Sequence, residues 1–160
     1  MTTVEDRFTW NMAQVPNGER VNAIKGESIV SLSGLVAGGY SSAFDAVYVD
    51  ASHNMKDVLG DAILGYRLLK VGGTMIFDDY ASHDGVRKAV AALEEAFGEE
   101  FEVIYRSDNE AMGNALVARK GAERWPRARP ARRARRISCD VDSTLILGKQ
   151  TRLENFPVEA

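Results

Sequence analysis

Two apolar runs in this sequence end in side chains that could carry chemistry. The run FDAVYV is followed by Asp50 and, three residues later, by His53. The run TMIF leads directly into Asp78 and Asp79. Carboxylate oxygens are the ligands that Mg²⁺ prefers, and a neutral imidazole can accept a proton near neutral pH. These residues could hold a hard divalent cation and remove a proton if the fold brings the two endings together.

Parallel strands would bring the two endings together. FDAVYV has the continuous apolar character of a strand that is covered on both faces, and TMIF reads as the next strand. Between them, helical spacing begins after Asn54, a predicted N-cap, and continues until Gly72 and Gly73. A strand, helix and strand in this order form one crossover, so both strands point the same way and their carboxyl ends share one edge. Ligands of open α/β sheets bind at that edge, so we predict one site.

The other segments alternate in the same manner. Helical spacing is predicted over residues 5–15, 28–36 and 84–97, and short strands over residues 21–25, 101–106 and 113–119. The last two strands are joined by a short polar turn, which predicts an antiparallel pair. The order is that of a doubly wound α/β sheet with right-handed crossovers.

These segments resemble class I S-adenosylmethionine-dependent methyltransferases, especially metal-dependent O-methyltransferases of the kind that modify sugars in macrolide antibiotics. The resemblance covers roughly residues 4–120 and depends on FDAVYVDASH, LLKVGGTMIFDDY, GVRKAVAALEEAF and the final strand pair. It implies S-adenosylmethionine and Mg²⁺ as cofactors and a hydroxyl group of a small molecule as acceptor.

The resemblance also implies roles for individual residues. Asp50, Asp78 and Asp79 correspond to the aspartates that bind Mg²⁺ in the family, and His53 corresponds to the base. The residues implied to lie near S-adenosylmethionine are Gly26, Glu27, Ser28 and Asp50.

Each of these residues also has a structural interpretation. Asp50 and Asn54 could cap the following helix, and Asp78 and Asp79 could be a solvated strand end. His83, which lies in SHDG before the next predicted helix, is the alternative base.

Other residues are interpreted structurally too. Gly26 and Ser28 are common turn residues, so a turn and a ligand contact both remain open for them. Phe8 and Trp10 are predicted to belong to the core.

Two features of the resembled family do not occur in this sequence. There is no glycine-rich GxGxG loop after a first strand and no second strand ending in an acidic residue, which in the family binds the ribose. The sequence corresponds to the family from about the helix after the second strand onward. We therefore expect a partial, Rossmann-like doubly wound sheet that lacks its first two strands and ends in an antiparallel pair. Such a chain should bind S-adenosylmethionine poorly and be inactive alone.

The missing strands suggest an alternative function. A sheet that lacks two central strands would have an exposed edge, which could pair with a second copy or with a complementing chain. In that case the chain would be a non-catalytic remnant or an interaction module.

Charge divides the chain into three parts. Residues 1–118 contain 9 Lys and Arg against 18 Asp and Glu, residues 119–136 contain 9 against 1, and residues 137–160 contain 2 against 4. The middle part, RKGAERWPRARPARRARR, has no apolar periodicity, which predicts a disordered linker or tail that binds polyanions weakly. We thus expect a truncated methyltransferase domain, an arginine-rich linker and a short tail.

The tail contains a second resemblance. ISCDVDSTLIL, residues 137–147, is similar to the first motif of haloacid-dehalogenase-type phosphatases, DxDxT after an apolar strand. It implies Asp140 as a nucleophile and Asp142 as an acid/base. Only 18 residues follow Asp142, so the later motifs of that family are expected to be missing and the tail to be the start of a truncated domain.

Composition predicts a soluble cytoplasmic protein with no membrane partner. The sequence has 160 residues, of which 45% are hydrophobic, and its single cysteine excludes an internal disulfide. It contains no apolar stretch long enough to span a bilayer.

Overall fold

The computed structural model describes residues 3–107, 115–122, 137–140 and 144–147. The helices are α1 (Val4–Gln14), α2 (Ser28–Ala37), α3 (Met55–Leu68) and α4 (Asp84–Phe97), and short 3₁₀ turns cover Gly18–Arg20 and Gly98–Glu100. The strands are β1 (Asn22–Lys25), β2 (Phe44–Val49), β3 (Leu69–Phe77), β4 (Phe101–Arg106), β5 (Leu116–Lys120), β6 (Ile137–Asp140) and β7 (Thr144–Leu147). The alternation that the sequence predicts is present as far as β5.

The strands form one open sheet in the order β1-β6-β7-β2-β3-β5-β4. β1 is parallel to β6 and β2 is parallel to β3, whereas the other neighbours are antiparallel. Because two successive antiparallel pairings separate β6 from β2, the strands β1, β2 and β3 all point the same way. The fold is a partial Rossmann-like α/β sheet with a final antiparallel pair, as predicted.

The hairpin of β6 and β7 lies between β1 and β2. Asp140 is paired with Lys25 of β1, and Leu147 is paired with Ala46 of β2. The resemblance to methyltransferases predicts that two central strands are missing from this position. The edge at which a second chain was expected to pair is thus occupied by the chain's own hairpin, and part of the expected tail belongs to the sheet.

One layer of helices covers one face of the sheet. α3 packs against both α2 and α4. Its close approach to the strands requires Gly65, since a Cβ there would lie 3.0 Å from Val47 Cγ1 and 3.3 Å from Met75 Cε. The apolar core lies between these two layers.

The other face of the sheet is less covered than the sequence predicts. Strand residues on the helix side are buried, as at Val47 and Met75. Their neighbours Tyr48 and Ile76, which point to the opposite side, are only partly buried. In the described residues, therefore, this face of the sheet is only partly covered.

Helix α3 ends earlier than predicted. Its last residue is Leu68, and Leu69 already has an extended backbone and pairs with Phe44 of β2. Gly72 has a φ of 80°, which a glycine adopts without strain, but it lies within β3 rather than at the helix end. Pairing with β2 therefore overrides the helical spacing between residues 69 and 71.

Strand β5 continues past the expected start of the linker at residue 119. Lys120 is buried, and its Nζ donates to the carbonyl oxygens of Tyr66 (3.0 Å) and Leu69 (3.1 Å). The same Nζ lies 4.7 Å from the centroid of the Tyr66 ring. These contacts make Lys120 part of the core, and residues 123–136 of the expected linker lie outside the described residues.

Helix α1 has a capped start but no buried residue. Thr3 and Asp6 form a reciprocal capping box at its N-terminus. Trp10 is 66% exposed, so its prediction as a core residue is wrong, and Phe8 is partly buried. No helix among the described residues has the length and apolar character that crossing a membrane requires.

Candidate functional site

The loops after β2 and β3 meet at the carboxyl edge of the sheet. The backbone N–H of Asp78 donates to the carbonyl oxygen of Val49 at 3.0 Å, which joins the two strand ends directly. A small pocket at this point is lined by residues that include Asp50, His53 and Asp78. The two polar endings therefore lie at one place, as the strand pattern predicts.

Negative charge accumulates at this edge. Loss of hydration raises the pKa of Asp50 above its ordinary value, and the charges of Asp78 and Asp79 raise it further. The nearby His53 acts in the opposite direction. The carboxylates repel one another across the crevice, and a bound cation would relieve this repulsion.

Tyr48 is a member of this site that sequence analysis missed. Burial raises the pKa of its hydroxyl above the ordinary value, and the hydrogen bond to Asp78 raises it further. Tyr48 precedes Asp50 by two residues, so both side chains point to the same side of the strand. The two-residue period of a strand could have identified Tyr48 from the sequence, because it places Tyr48 and Asp50 on the same side.

Asp79 faces two histidines. Its backbone is in the left-handed region, with a φ of 53°, which is rare for a residue with a side chain. Its Oδ2 lies 2.8 Å from His53 Nε2 and 4.0 Å from His83 Nδ1. The two imidazole rings stack with their centroids 3.7 Å apart. We call His53, Asp79 and His83 the histidine cluster.

The histidine cluster shares only Asp79 with the predicted magnesium ligands. Its potential ligand atoms all lie within 4.8 Å of one another, and no other group of three such residues in the described ranges does so. Asp50 and Asp78 are at the same edge but outside this group. Hard oxygen donors with unrelieved repulsion suit Mg²⁺, which often takes only one or two protein carboxylates and keeps several waters. The three predicted ligands Asp50, Asp78 and Asp79 do not form such a group in the described residues, so magnesium binding stays a prediction.

A glycine brings the two loops into backbone contact. A Cβ at Gly85 would lie 2.1 Å from the carbonyl oxygen of His53 and 3.0 Å from the nitrogen of Met55. Gly85 belongs to the first turn of α4, whose N-cap residue is His83. This contact holds His83 beside His53. The segment SHDG contains His83 and Gly85, but its sequence alone does not reveal that they lie next to His53.

The loop from Asp78 to His83 is braced by two arginines. Arg87 donates to the carbonyl oxygen of Ala81 at 2.7 Å, and Arg106 donates to the hydroxyl of Tyr80 at 2.8 Å. Arg106 also contacts Glu94 on α4 at 2.6 Å. These contacts tie the loop to α4 and β4.

The residues predicted near the cofactor lie after β1. Gly26 has a φ of 144°, which explains a glycine at this turn. Glu27 is the N-cap residue of α2 without a side-chain cap, and Ser28 begins the helix. Three strand spacings separate β1 from β2, which corresponds to about 14 Å between this turn and the region of Asp50. Contact of these residues with the cofactor stays a prediction.

Residues 3–80 match the family model described as a methyltransferase domain. The match runs from α1 to the residue after Asp79, and it includes Asp50 and His53. The match supports a methyltransferase domain and methyl transfer in general, and methyltransferase domains usually use S-adenosylmethionine. No curated protein matches the chain.

The phosphatase-like segment lies outside that match. Its first aspartate, Asp140, is the last residue of β6, and Asp142 lies outside the described residues. The apolar strand that the motif requires is present as β6. Phosphatase chemistry at Asp140 and Asp142 stays a prediction.

Proposed function

We propose that this methyltransferase domain transfers a methyl group from S-adenosylmethionine to a hydroxyl of a small molecule, with assistance from Mg²⁺. The observation that carries the proposal is the 2.8 Å contact between His53 Nε2 and Asp79 Oδ2 at the carboxyl edge of the sheet. A carboxylate that orients a histidine is a common arrangement for a general base.

In this reaction class, an acceptor oxygen attacks the methyl carbon in line with the departing sulfur, and the hydroxyl proton passes to a base. In neutral His53, an N–H at Nε2 donates to Asp79, which leaves the lone pair of Nδ1 to accept that proton. Asp79 then stabilises the imidazolium that forms. His83 Nδ1 lies farther from Asp79 and is 2.8 Å from the hydroxyl of Ser82, which favours His53 as the base.

The predicted metal ligands are Asp50, Asp78 and Asp79. Bound Mg²⁺ supplies Lewis acidity that makes a coordinated hydroxyl a stronger acid. Tyr48 holds Asp78 through its hydroxyl and so limits the directions in which this carboxylate can point. Asp79 has two roles in this proposal, since it orients His53 and contributes negative charge to the metal site.

We place S-adenosylmethionine along the carboxyl edge between Gly26 and Asp50. Glu27 and Ser28 would approach its adenine, and Asp50 would lie near the reacting end. The sequence has no GxGxG loop to bind the methionine part. Each lost charge-assisted hydrogen bond weakens binding by roughly 1.5 to 3 kcal/mol, so two losses reduce affinity about a hundredfold or more. The chain by itself is therefore proposed to be inactive.

The test is to remove residues 123–160, whose strands β6 and β7 lie between β1 and β2, and to join the strand, GxGxG loop and strand of another methyltransferase domain upstream of Met1. Transfer of radiolabelled methyl groups from S-adenosylmethionine to a panel of hydroxyl compounds is then measured with and without Mg²⁺. We expect transfer by the fusion protein, stimulation by Mg²⁺ and no transfer by the original chain. A fusion protein that binds the cofactor but methylates only amines or thiols would contradict the proposal.

A further inference from the structure

We propose that the histidine cluster is a binding site for a divalent cation that prefers nitrogen ligands, with Zn²⁺ as the best candidate. The ligands would be His53 Nε2, Asp79 Oδ2 and His83 Nδ1. This site differs from the predicted magnesium site in its ligands, because two of its three donors are imidazole nitrogens. Cation binding is independent of the proposed function, whereas its effect on catalysis, described below, depends on that function.

The distances between the donor atoms suit a tetrahedral ion. Zn–N and Zn–O bonds of about 2.0 to 2.2 Å place neighbouring donors about 3.3 to 3.6 Å apart in a tetrahedral site. In the structure the two distances from Asp79 Oδ2 are 2.8 Å to His53 Nε2 and 4.0 Å to His83 Nδ1. One is slightly shorter and the other slightly longer than required. The two rings are stacked, so both must rotate to direct their nitrogen atoms at one ion and complete the site.

The backbone around the cluster is already arranged for convergence. The left-handed conformation of Asp79 is unfavourable for a residue with a side chain, so other contacts must hold it. The contact between Gly85 and the carbonyl oxygen of His53 keeps the two histidine-bearing loops together. The stacked rings of His53 and His83, with centroids 3.7 Å apart, keep the two side chains next to each other.

The charges around the cluster favour a cation. The carboxylates of Asp50 and Asp78 add negative charge at this edge of the sheet. Asp84, the next residue after His83, is instead engaged by Lys88 at 2.7 Å and Arg87 at 3.6 Å on the solvent side of α4. Ser82, whose hydroxyl lies 2.8 Å from His83 Nδ1, would release this nitrogen when the ion binds.

The type of donor determines which ion is favoured. Imidazole suits Zn²⁺, Ni²⁺ and Cu²⁺, whereas Mg²⁺ selects oxygen ligands. Three protein ligands leave a fourth position for water in a tetrahedral zinc site. Both histidine side chains are partly exposed, at 44% and 41%, so an ion can reach them from solvent.

Occupation of this site would block the proposed base. A neutral imidazole that binds a metal through Nε2 keeps its proton on Nδ1, so His53 could no longer accept a proton there. Asp79 would be bound to the ion at the same time. Zn²⁺ is therefore expected to inhibit methyl transfer that Mg²⁺ supports.

The test uses the purified full chain without S-adenosylmethionine. Co²⁺, which replaces Zn²⁺ and has visible absorption bands, is titrated into the metal-free protein, and Zn²⁺ is then used to displace it. We expect micromolar binding, displacement by Zn²⁺ and no displacement by millimolar Mg²⁺. His53→Gln, His83→Gln and Asp79→Asn should each weaken Co²⁺ binding at least tenfold.

Asp84→Asn is the matched control, because it removes a carboxylate next to His83 that does not belong to the cluster. It should leave Co²⁺ affinity within about twofold of the original value. Unchanged affinity in the three cluster variants would overturn the proposal, as would complete displacement of Co²⁺ by Mg²⁺. Circular dichroism of each variant separates loss of the site from loss of the fold.

The two proposals can fail separately. Co²⁺ binding by the cluster together with a fusion protein that transfers no methyl group would support the metal site and contradict the proposed function. Methyl transfer without Co²⁺ binding would do the reverse.

Discussion

Two histidines with similar exposure have different partners at the site. His53 contacts Asp79 at hydrogen-bond distance, whereas His83 contacts Ser82 and reaches Asp79 only at 4.0 Å. Proton transfer requires a base that is both oriented and within reach, so these differences in partner distinguish the two residues.

His53→Ala should lower methyl transfer by the fusion protein about 100-fold to 10,000-fold, the usual contribution of a general base. His83→Ala should lower it less than about tenfold, because it removes only the stacked neighbour. The measurement is the rate constant kcat for each variant at saturating cofactor. Equal losses in both variants would contradict the assignment of His53 as the base.

Asp50→Asn should increase the free energy of unfolding at pH 7 without metal, by roughly a few tenths of a kcal/mol. The pKa of Asp50 is raised above its ordinary value of 3.8. The folded state thus keeps this proton to a higher pH than the unfolded state does. Its contribution to stability is complete below pH 3.8 and is lost as the pH rises through the folded pKa.

The gain in Asp50→Asn should therefore shrink as the pH falls toward 3.8. Urea unfolding over a pH series measures this change. Asp84→Asn is a control of opposite sign, because hydrogen bonding to Lys88 lowers the pKa of Asp84. The ionised Asp84 carboxylate stabilises the folded state above its ordinary pKa, and this contribution is lost on acidification. The Asp84→Asn variant should therefore be less stable than the original protein at pH 7. A gain in both variants would contradict the electrostatic explanation.

At the scale of elements, close contacts between α4, α3 and the strands position the site. Gly85 joins the start of α4 to the loop after β2, and Gly65 joins α3 to the sheet. Lys120 joins the end of β5 to the end of α3 through two carbonyl groups. A Cβ at either glycine would meet neighbouring atoms, and Lys120 contacts two backbone carbonyl groups.

Gly85→Ala should destabilise the fold by about 1 to 3 kcal/mol, since its Cβ would overlap the carbonyl oxygen of His53. It should also weaken Co²⁺ binding by separating the two histidines. Gly60→Ala is the matched helical control, because its Cβ would meet only the flexible end of the Ile29 side chain, at 2.9 Å. Thermal unfolding measures both variants, and equal stability of the two would contradict this account of the contact.

Lys120→Met should lower the free energy of unfolding by about 1 to 3 kcal/mol for each carbonyl that loses its donor. Methionine keeps much of the apolar contact of the side chain, so the loss reports mainly on the ammonium group. The control is Lys88→Met, which removes an exposed ion pair with Asp84. Urea denaturation with no difference between the two variants would mean that Lys120 is not anchored as described.

At the scale of the whole molecule, the hairpin of β6 and β7 determines whether β1 and β2 are joined within one sheet. With the hairpin in place, β1 is joined to the rest of the sheet through β6 and β7. Without it, β1 and β2 would each present an unpaired edge. The expectation of pairing with another chain therefore applies to the chain that lacks this hairpin.

Removal of residues 123–160 should convert the protein to oligomers or aggregates, because open strand edges pair with other chains. Sedimentation velocity measures the distribution of sizes. The control is removal of residues 148–160 alone, which keeps both strands and should leave the distribution unchanged. A monomeric and equally stable protein after the longer deletion would contradict the central place of the hairpin.

The local patterns of the sequence predicted much of the fold and part of the site. Alternation of strand and helix periods predicted the crossover from β2 to β3, and this crossover placed Asp50 and Asp78 at one edge. These features can be predicted from the sequence because residues close together in the chain determine the helix and strand periods and the direction of a crossover. The early end of α3 was missed because strand pairing outweighed the helical spacing of Leu69.

The tertiary structure alone decided which groups contact one another across the chain. The sequence determined an α/β alternation and two polar strand ends, since these arise from local patterns. Only the folded chain showed that Asp79 faces His53 and His83, that Lys120 is buried and that β6 and β7 lie between β1 and β2. Such pairings join residues that are distant in sequence, and their free energies depend on packing and desolvation, which no local pattern records.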